Sequence, residues 1–258
     1  MKDLISYETI NRIAYITLNR PEKKNALNPQ LVEILGSAVS KAGSDDKIKV
    51  LVIRAAGDVF SAGADLGYLQ VLQNNSAEDN FTDTVALKEL FYSIYTLPKL
   101  VIAQVEGHAI AGGCGLACVC DIVFSVPEAK FGYTEVKIGF LPALVACFLV
   151  RKLGDGRARE LLLSGELIDS VTASGYGLIN FISDKTEIAA RVTEYAEKLA
   201  ASVSGHSVAL TKQLLNSAQS QSLEDSLNEA VKLNVQARSS AECKRGIAAF
   251  LNKEKLDW

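Results

Sequence analysis

The chain has 258 residues, of which 48% are hydrophobic and 22% charged, and a formal net charge of −3. That composition suits a globular protein with ample core material, and its balance of charge offers no global basic field to attract nucleic acid. Five cysteines (Cys114, Cys118, Cys120, Cys147 and Cys243) are odd in number and lack zinc-type spacing, so buried, reduced thiols of a cytoplasmic protein are expected, with no disulfide framework and no metal site.

In chain order, residues 5–10 and 13–18 read as a hairpin turning at Asn11-Arg12. A helix follows, with Asn28 as its cap, Pro29 suited to the first position, and Leu31, Ile34, Leu35 and Ala38 on one apolar face. Residues 50–55, 100–105 and 122–125 are near-continuous apolar runs, as expected of strands covered on both faces. Helices between such strands imply βα units and a mostly parallel sheet. Beyond about Leu144 the texture turns helical, over 157–163, 188–199, 208–215, 223–235 and 241–251. Ser222-x-x-Asp225 and Ser239-x-x-Glu242 have capping-box spacing at the starts of the last two. The face formed by Leu223, Leu227, Ala230 and Val231 needs a partner, in the chain's own core or on another subunit. The start of the chain, Met1 to Tyr7, lacks the pattern of a signal peptide, and the apolar stretch 138–150 falls short of the roughly 20 residues of a membrane span.

Three segments could carry chemistry. Phe60-Ser61-Ala62-Gly63-Ala64-Asp65-Leu66 directly follows a strand; its small residues admit a ligand to the backbone, and free N–H groups at such a turn can bind an anionic oxygen, although a short small-residue turn is more often only a turn. Gly107 to Ala117 lacks the Lys and Ser/Thr of a nucleotide phosphate loop but offers glycine backbone at a helix start, which is oxyanion-binding material. Glu135 sits in an apolar run, where desolvation raises a carboxyl group toward an acid/base range; a surface Glu paired with Lys130 or Lys137 is an equally good reading of the spacing. Neither His108 nor His206 has a partner at metal or triad spacing.

Together and in this order, these segments resemble the enoyl-CoA hydratase/isomerase (crotonase) superfamily. The likeness runs from Asn19-Arg20-Pro21-Glu22-Lys23-Lys24-Asn25-Ala26-Leu27, through residues 60–66 and 107–121, to Phe250-Leu251-Asn252-Lys253. The Tyr133 to Phe140 stretch with the Ala-Gly-Gly-Cys-Gly loop is most similar to bacterial methylglutaconyl-CoA hydratase-like members. The resemblance implies an α/β fold of the ClpP/crotonase type, a spiral of ββα units over residues 1–195, and a helical trimerisation region over 196–258, as a homotrimer or a hexamer. It implies an acyl-CoA substrate and no further cofactor or metal, while the charge and the short apolar runs speak against a nucleic-acid or membrane partner. Matched motif by motif, it gives the oxyanion-binding N–H groups to Ala64 and Gly112 and the acid/base role to Glu135. Ala62, Asp65 and Leu66 would line the CoA path, and Phe250 and Lys253 would meet the nucleotide.

One departure bears on mechanism. Hydratases of the family carry a first glutamate where this chain has Gly115, and the usual glycine-rich stretch after Pro142 is here Ala143-Leu144-Val145-Ala146, which should narrow or grease the acyl pocket. Hydration or dehydration of a short or branched enoyl-CoA on Glu135 alone is the first expectation, with Tyr133 as the group to hold the water. A Δ3,Δ2-enoyl-CoA isomerase, which needs only one carboxylate, is the second. A non-catalytic CoA-binding homologue, a serine peptidase on the same fold and a nucleic-acid binder follow in descending order.

Overall fold

The computed structural model describes residues 3–258, apart from the side chain of Leu66. The strands are β1 (Ile5–Ile10), β2 (Ile13–Leu18), β3 (Val50–Ala55), β4 (Val59–Ser61), β5 (Leu100–Val105), β6 (His108–Ile110), β7 (Ile122–Ser125), β8 (Lys130–Gly132), β9 (Ile168–Asp169) and β10 (Phe181–Ile182). They form two sheets, one ordered β1-β2-β3-β5-β7-β10 and one ordered β4-β6-β8-β9. In each of three successive turns of chain, a strand of the large sheet passes within a few residues into a strand of the small one: β3 to β4, β5 to β6, β7 to β8. Helices separate the turns, and the result is the expected spiral.

The hairpin pairs Ile5 with Leu18 through to Ile10 with Ile13, and Asn11 and Arg12 both take positive φ in its two-residue turn. Every other neighbouring pair in the large sheet is parallel. Val50 to Ile53 and Val101 to Val105 are buried almost without alternation, because helices cover both faces. On one side α1 (Pro29–Ser44), capped by Asn28 through the Leu31 N–H at 2.9 Å, packs with a later helix, α3. α3 is Ala77–Thr96, and α2 (Leu66–Leu72) comes between the two in the chain.

After α4 (Gly112–Cys118) come α5 (Ala143–Leu153), α6 (Asp155–Ser164) and α7 (Ser170–Tyr176). On the other side α8 (Ile188–Ser202) lays Ile188, Val192, Ala196 and Ala200 on β2, β3, β5 and β7. Each is at most 2% exposed, and burying an Ile or Val side chain contributes about 1.5–3 kcal/mol. The expected division at 195/196 falls inside this helix, and the chain leaves the large sheet only at Val203.

There α9 (Gly205–Ala218) starts on a Ser204 cap, followed by α10 (Leu223–Ser239) packed on α9 and α11 (Ala241–Asn252) packed on α10. A buried ion pair fastens α9 to the rest: the Lys212 Nζ donates to Asp121 Oδ2 at 2.7 Å and to the Lys99 carbonyl at 3.2 Å. Ser222 caps α10 as expected. The cap of α11 is Ser240 and not Ser239, which ends α10; Glu242 turns away to accept from Ser204 Oγ and the His206 N–H. Of the thiols, Cys114, Cys118 and Cys120 are buried, whereas Cys147 is exposed and Cys243 half-buried. Among the described residues no helix is long and apolar enough to cross a membrane.

Candidate active site

β4, β6 and β8 lie side by side and parallel, and each chemistry-bearing segment begins where one of them ends. Parallel strands present their carboxyl ends together, so the Ser61 to Asp65 turn, the Ala111-Gly112 turn and the Tyr133-Thr134-Glu135 stretch emerge at one edge of the small sheet.

The first turn is held by Leu27. The Leu27 N–H donates to the Gly63 carbonyl at 2.6 Å and the Asp65 N–H donates to the Leu27 carbonyl at 2.9 Å, a parallel bridge with Ala64 between. In a trans peptide the C=O and N–H point opposite ways. With the Gly63 carbonyl turned to Leu27, the Ala64 N–H is turned away from it, and it meets no acceptor among the described residues. Gly63 is required on two counts. Its φ is +84°, and a Cβ there would lie 2.8 Å from Ala111 Cβ and 3.2 Å from the Gly112 nitrogen.

That close approach joins the first turn to the second. Gly112 opens α4, and its N–H likewise has no acceptor among the described residues. Ahead of it Ala111 holds φ 51° and ψ −126°, a region L-residues seldom occupy. Two bonds keep it there: its N–H donates to the Gly132 carbonyl at 2.7 Å, and its carbonyl accepts from the Gly115 N–H at 3.0 Å. Since Gly132 ends β8, the same bond ties the second turn to the strand that leads to Glu135.

Glu135 opens a one-turn 3-10 helix, Glu135–Ile138. Its Oε2 is buried and has no hydrogen-bond partner among the described residues. Burial pushes the carboxyl group above the ordinary glutamate range, against a smaller opposing pull from its own backbone N–H. The alternative of a solvated surface pair fails for Lys137, which bonds Glu166 at 2.8 Å instead. Exposed Ile138, Phe140 and Leu141 follow directly and give the neighbouring surface an apolar character.

At Gly115 a Cβ would lie 2.3 Å from Val145 Cγ1 and 3.1 Å from Phe91 Cε2. The space a side chain at 115 would need is therefore filled, and Glu135 has no second carboxylate opposite it from α4. Tyr133 does not serve as the expected water-holding group: it is fully buried, with its hydroxyl against the Cys114 and Cys118 thiols. Asp65 turns its carboxylate to Arg20 at 2.7 Å and to the Tyr68 N–H at 3.1 Å. Ala62 is half-buried and donates its N–H to the Lys24 carbonyl at 3.0 Å; Leu66 begins α2, its side chain lying outside the described residues. Phe250, 83% exposed, and Lys253 lie at the end of α11, which packs chiefly on α10. Among the described residues no three His, Cys, Asp or Glu groups are gathered as metal ligands.

Two unmatched main-chain N–H groups at the same sheet edge as an unpaired, half-buried carboxyl group make an arrangement that can hold a carbonyl oxygen as it gains charge and move a proton near it. The sequence likenesses agree with that class. Residues 8–258 match the family model described as enoyl-CoA hydratase/isomerase. A Thermus thermophilus protein provisionally named as an enoyl-CoA hydratase is 39% identical over 241 residues, covering 93% of this chain and 95% of that protein. The Escherichia coli 2,3-dehydroadipyl-CoA hydratase is 33% identical, with 96% and 95% covered. A Mycobacterium smegmatis enoyl-CoA hydratase structure superposes with a TM-score of 0.94 at 26% identity, covering 100% of this chain and 99% of that one. The chain belongs to the enoyl-CoA hydratase/isomerase family and is an acyl-CoA enzyme with the crotonase fold.

Proposed function

We propose that this enzyme hydrates a short or branched 2-enoyl-CoA to the 3-hydroxyacyl-CoA, and the reverse, with Glu135 as the only acid/base side chain. The observation that carries the reading is the buried, unpartnered Glu135 carboxyl oxygen at the same sheet edge as the unmatched Ala64 and Gly112 N–H groups. In the forward direction the Glu135 carboxylate takes a proton from water while the water oxygen bonds to C3. The double-bond electrons move toward the thioester oxygen, where the two N–H groups oppose the cost of the developing negative charge. Glu135 then returns the proton to C2, and water has been added across the double bond with no net change in the protein. Losing one such N–H donor typically raises the barrier by about 3 kcal/mol.

The names carried by the Thermus and Escherichia relatives support hydration. A second reading, Δ3,Δ2-enoyl-CoA isomerisation, is favoured by the filled space at Gly115, because a 1,3-proton shift needs one carboxylate and no water. Supplying crotonyl-CoA, 3-methylglutaconyl-CoA and 3-hexenoyl-CoA separates the two. Hydration removes the absorbance of the conjugated thioester, whereas isomerisation of the 3-enoyl substrate creates it. Turnover of the 3-enoyl substrate alone would replace the first reading with the second, and CoA binding without any turnover would replace both with a silent binder.

For the CoA moiety, Ala62 at the first turn and Leu66 at the start of α2 remain the proposed lining, while the Asp65 carboxylate is occupied elsewhere. Phe250 and Lys253 are exposed at the end of α11, as a contribution to a neighbouring subunit's nucleotide would require. Leu223, Leu227, Val231 and Val235 stand exposed along α10 at a spacing of four, which supports a homotrimer or hexamer built through the helical region.

A further inference from the structure

The Arg20 to Leu27 segment takes no part in the chemistry above, yet its bonds end at the first turn. The Arg20 Nη1 donates to the Ala26 carbonyl at 3.2 Å and also bonds Asp65 Oδ2 at 2.7 Å. The Ala26 carbonyl and the Leu27 N–H belong to one peptide unit, so fixing the first aims the second. That N–H holds the Gly63 carbonyl, and the Gly63 carbonyl shares its own peptide unit with the Ala64 N–H. One guanidinium nitrogen thus grips both sides of the Leu27–Ala64 bridge, and two rigid peptide planes pass its position on to the donor. The side chains are largely out of water, at 14% exposed for Arg20 and 11% for Asp65. The grip is itself braced: Asn25, fully buried at positive φ, accepts from the Arg20 N–H at 2.9 Å and donates to the Ala56 and Val59 carbonyls at 2.9 and 2.8 Å. Although burial pushes the Asp65 carboxyl up, the Tyr68 N–H and Arg20 together hold it below the ordinary range.

We propose that Arg20 is a positioning residue for turnover: through the Ala26–Leu27 and Gly63–Ala64 peptide planes it aims the Ala64 N–H at the thioester oxygen. The assignment rests on the oxyanion reading above and adds a residue that stands apart from the substrate.

The test is a paired substitution, Arg20→Met with Asp65→Asn, which removes the grip without stranding a buried charge and keeps an N-cap acceptor for α2. Removing a whole oxyanion donor costs about 100–1,000-fold in kcat, so a donor that is present but badly aimed should cost about 10–30-fold. The KM for crotonyl-CoA should change by less than about threefold, since ground-state contacts persist. Arg20→Lys, whose ammonium can face Asp65 but ends one bond short of the Nη1 position that reaches both partners, should fall between.

A spectroscopic readout separates aim from mere folding. Bound butyryl-CoA, which has no double bond to hydrate, should show a thioester carbonyl stretch lowered in the wild type and returned toward the free value in the paired variant. A lowered stretch and undiminished kcat in the paired variant would overturn the proposal. If that variant does not fold, Arg20→Lys decides by the same two readouts. A wild-type protein that binds butyryl-CoA with no carbonyl shift would instead sink the oxyanion reading itself.

Discussion

The seam where α9 docks on the large sheet and the edge where the small sheet ends each contain a carboxyl group that burial pushes above its ordinary range. At the seam, Asp121 is met by Lys212 and by the Val101 N–H, both at 2.7 Å. At the edge, Glu135 Oε2 is met by nothing among the described residues. Desolvation acts on both, and only the presence of donors distinguishes them. A carboxylate supplied with partners is a fastening, whereas one denied partners is held at a cost to folding and is free to exchange a proton.

Glu135→Gln should open the widest gap between the two regions. Turnover of the enoyl-CoA should fall about 1,000-fold, measured as kcat. The wild-type Glu135 has a folded-state pKa above its unfolded value, so its own contribution to stability is fully present below the ordinary glutamate range and is lost as pH rises through the raised pKa. The amide variant should therefore melt higher than wild type at neutral pH and lose that advantage below the ordinary glutamate range. The acid limb of the wild-type activity profile should likewise sit above that range, because the reaction begins from the carboxylate.

Next in size is Gly115→Glu. Its Cβ has no room beside Val145, so the single variant should lose about 3 kcal/mol or more in a denaturant titration, in line with severe overpacking. Adding Val145→Gly should recover much of the loss and place a second carboxylate opposite the first, raising hydration of crotonyl-CoA relative to isomerisation of 3-hexenoyl-CoA. Recovery of neither fold nor activity would mean that Val145 is not what closes this space.

Lys212→Met acts at the seam alone. It should cost on the order of 2 kcal/mol of stability, reduced from a fully buried pair because the Asp121 side chain is 25% exposed. Its kcat per folded enzyme should stay at the wild-type value. A fall in kcat would show that the seam and the edge are coupled. The smallest effect belongs to Ala111→Gly, which should relieve backbone strain and loosen the Gly112 turn, with a melting change of less than about 1 kcal/mol and a modest drop in kcat.

The large sheet was legible because Val50 to Ile53 are apolar without interruption and Val101 to Val105 are broken only by Gln104, a pattern that few other environments demand. β4, β6 and β8, at three residues each, are too short to show any period, although the segments of the proposed chemistry start from their ends. The long helix α3 was not read from the sequence because it buries little beyond Leu90, Phe91 and Ile94 near its end. Glu135 could be singled out by its apolar neighbours, but the choice between a cleft group and a surface pair depended on Glu166, which takes Lys137 from outside the motif. Ala64 and Gly112 were named by likeness alone; what aims the first is a bridge to Leu27, and no local pattern encodes a contact at that separation. Val145, from the stretch after Pro142, lies where a side chain at 115 would go, a contact that spacing alone does not show.

Of the three groups gathered at the small sheet's edge, two belong to the main chain, and every amino acid but one supplies the same amide. Mutational drift at 64 or 112 can alter shape there, yet only proline deletes the proton outright. On the proposed reading, such an enzyme keeps most of its electrophilic assistance in a form that residue identity does not record, and of the three groups only the acid depends on its own side chain.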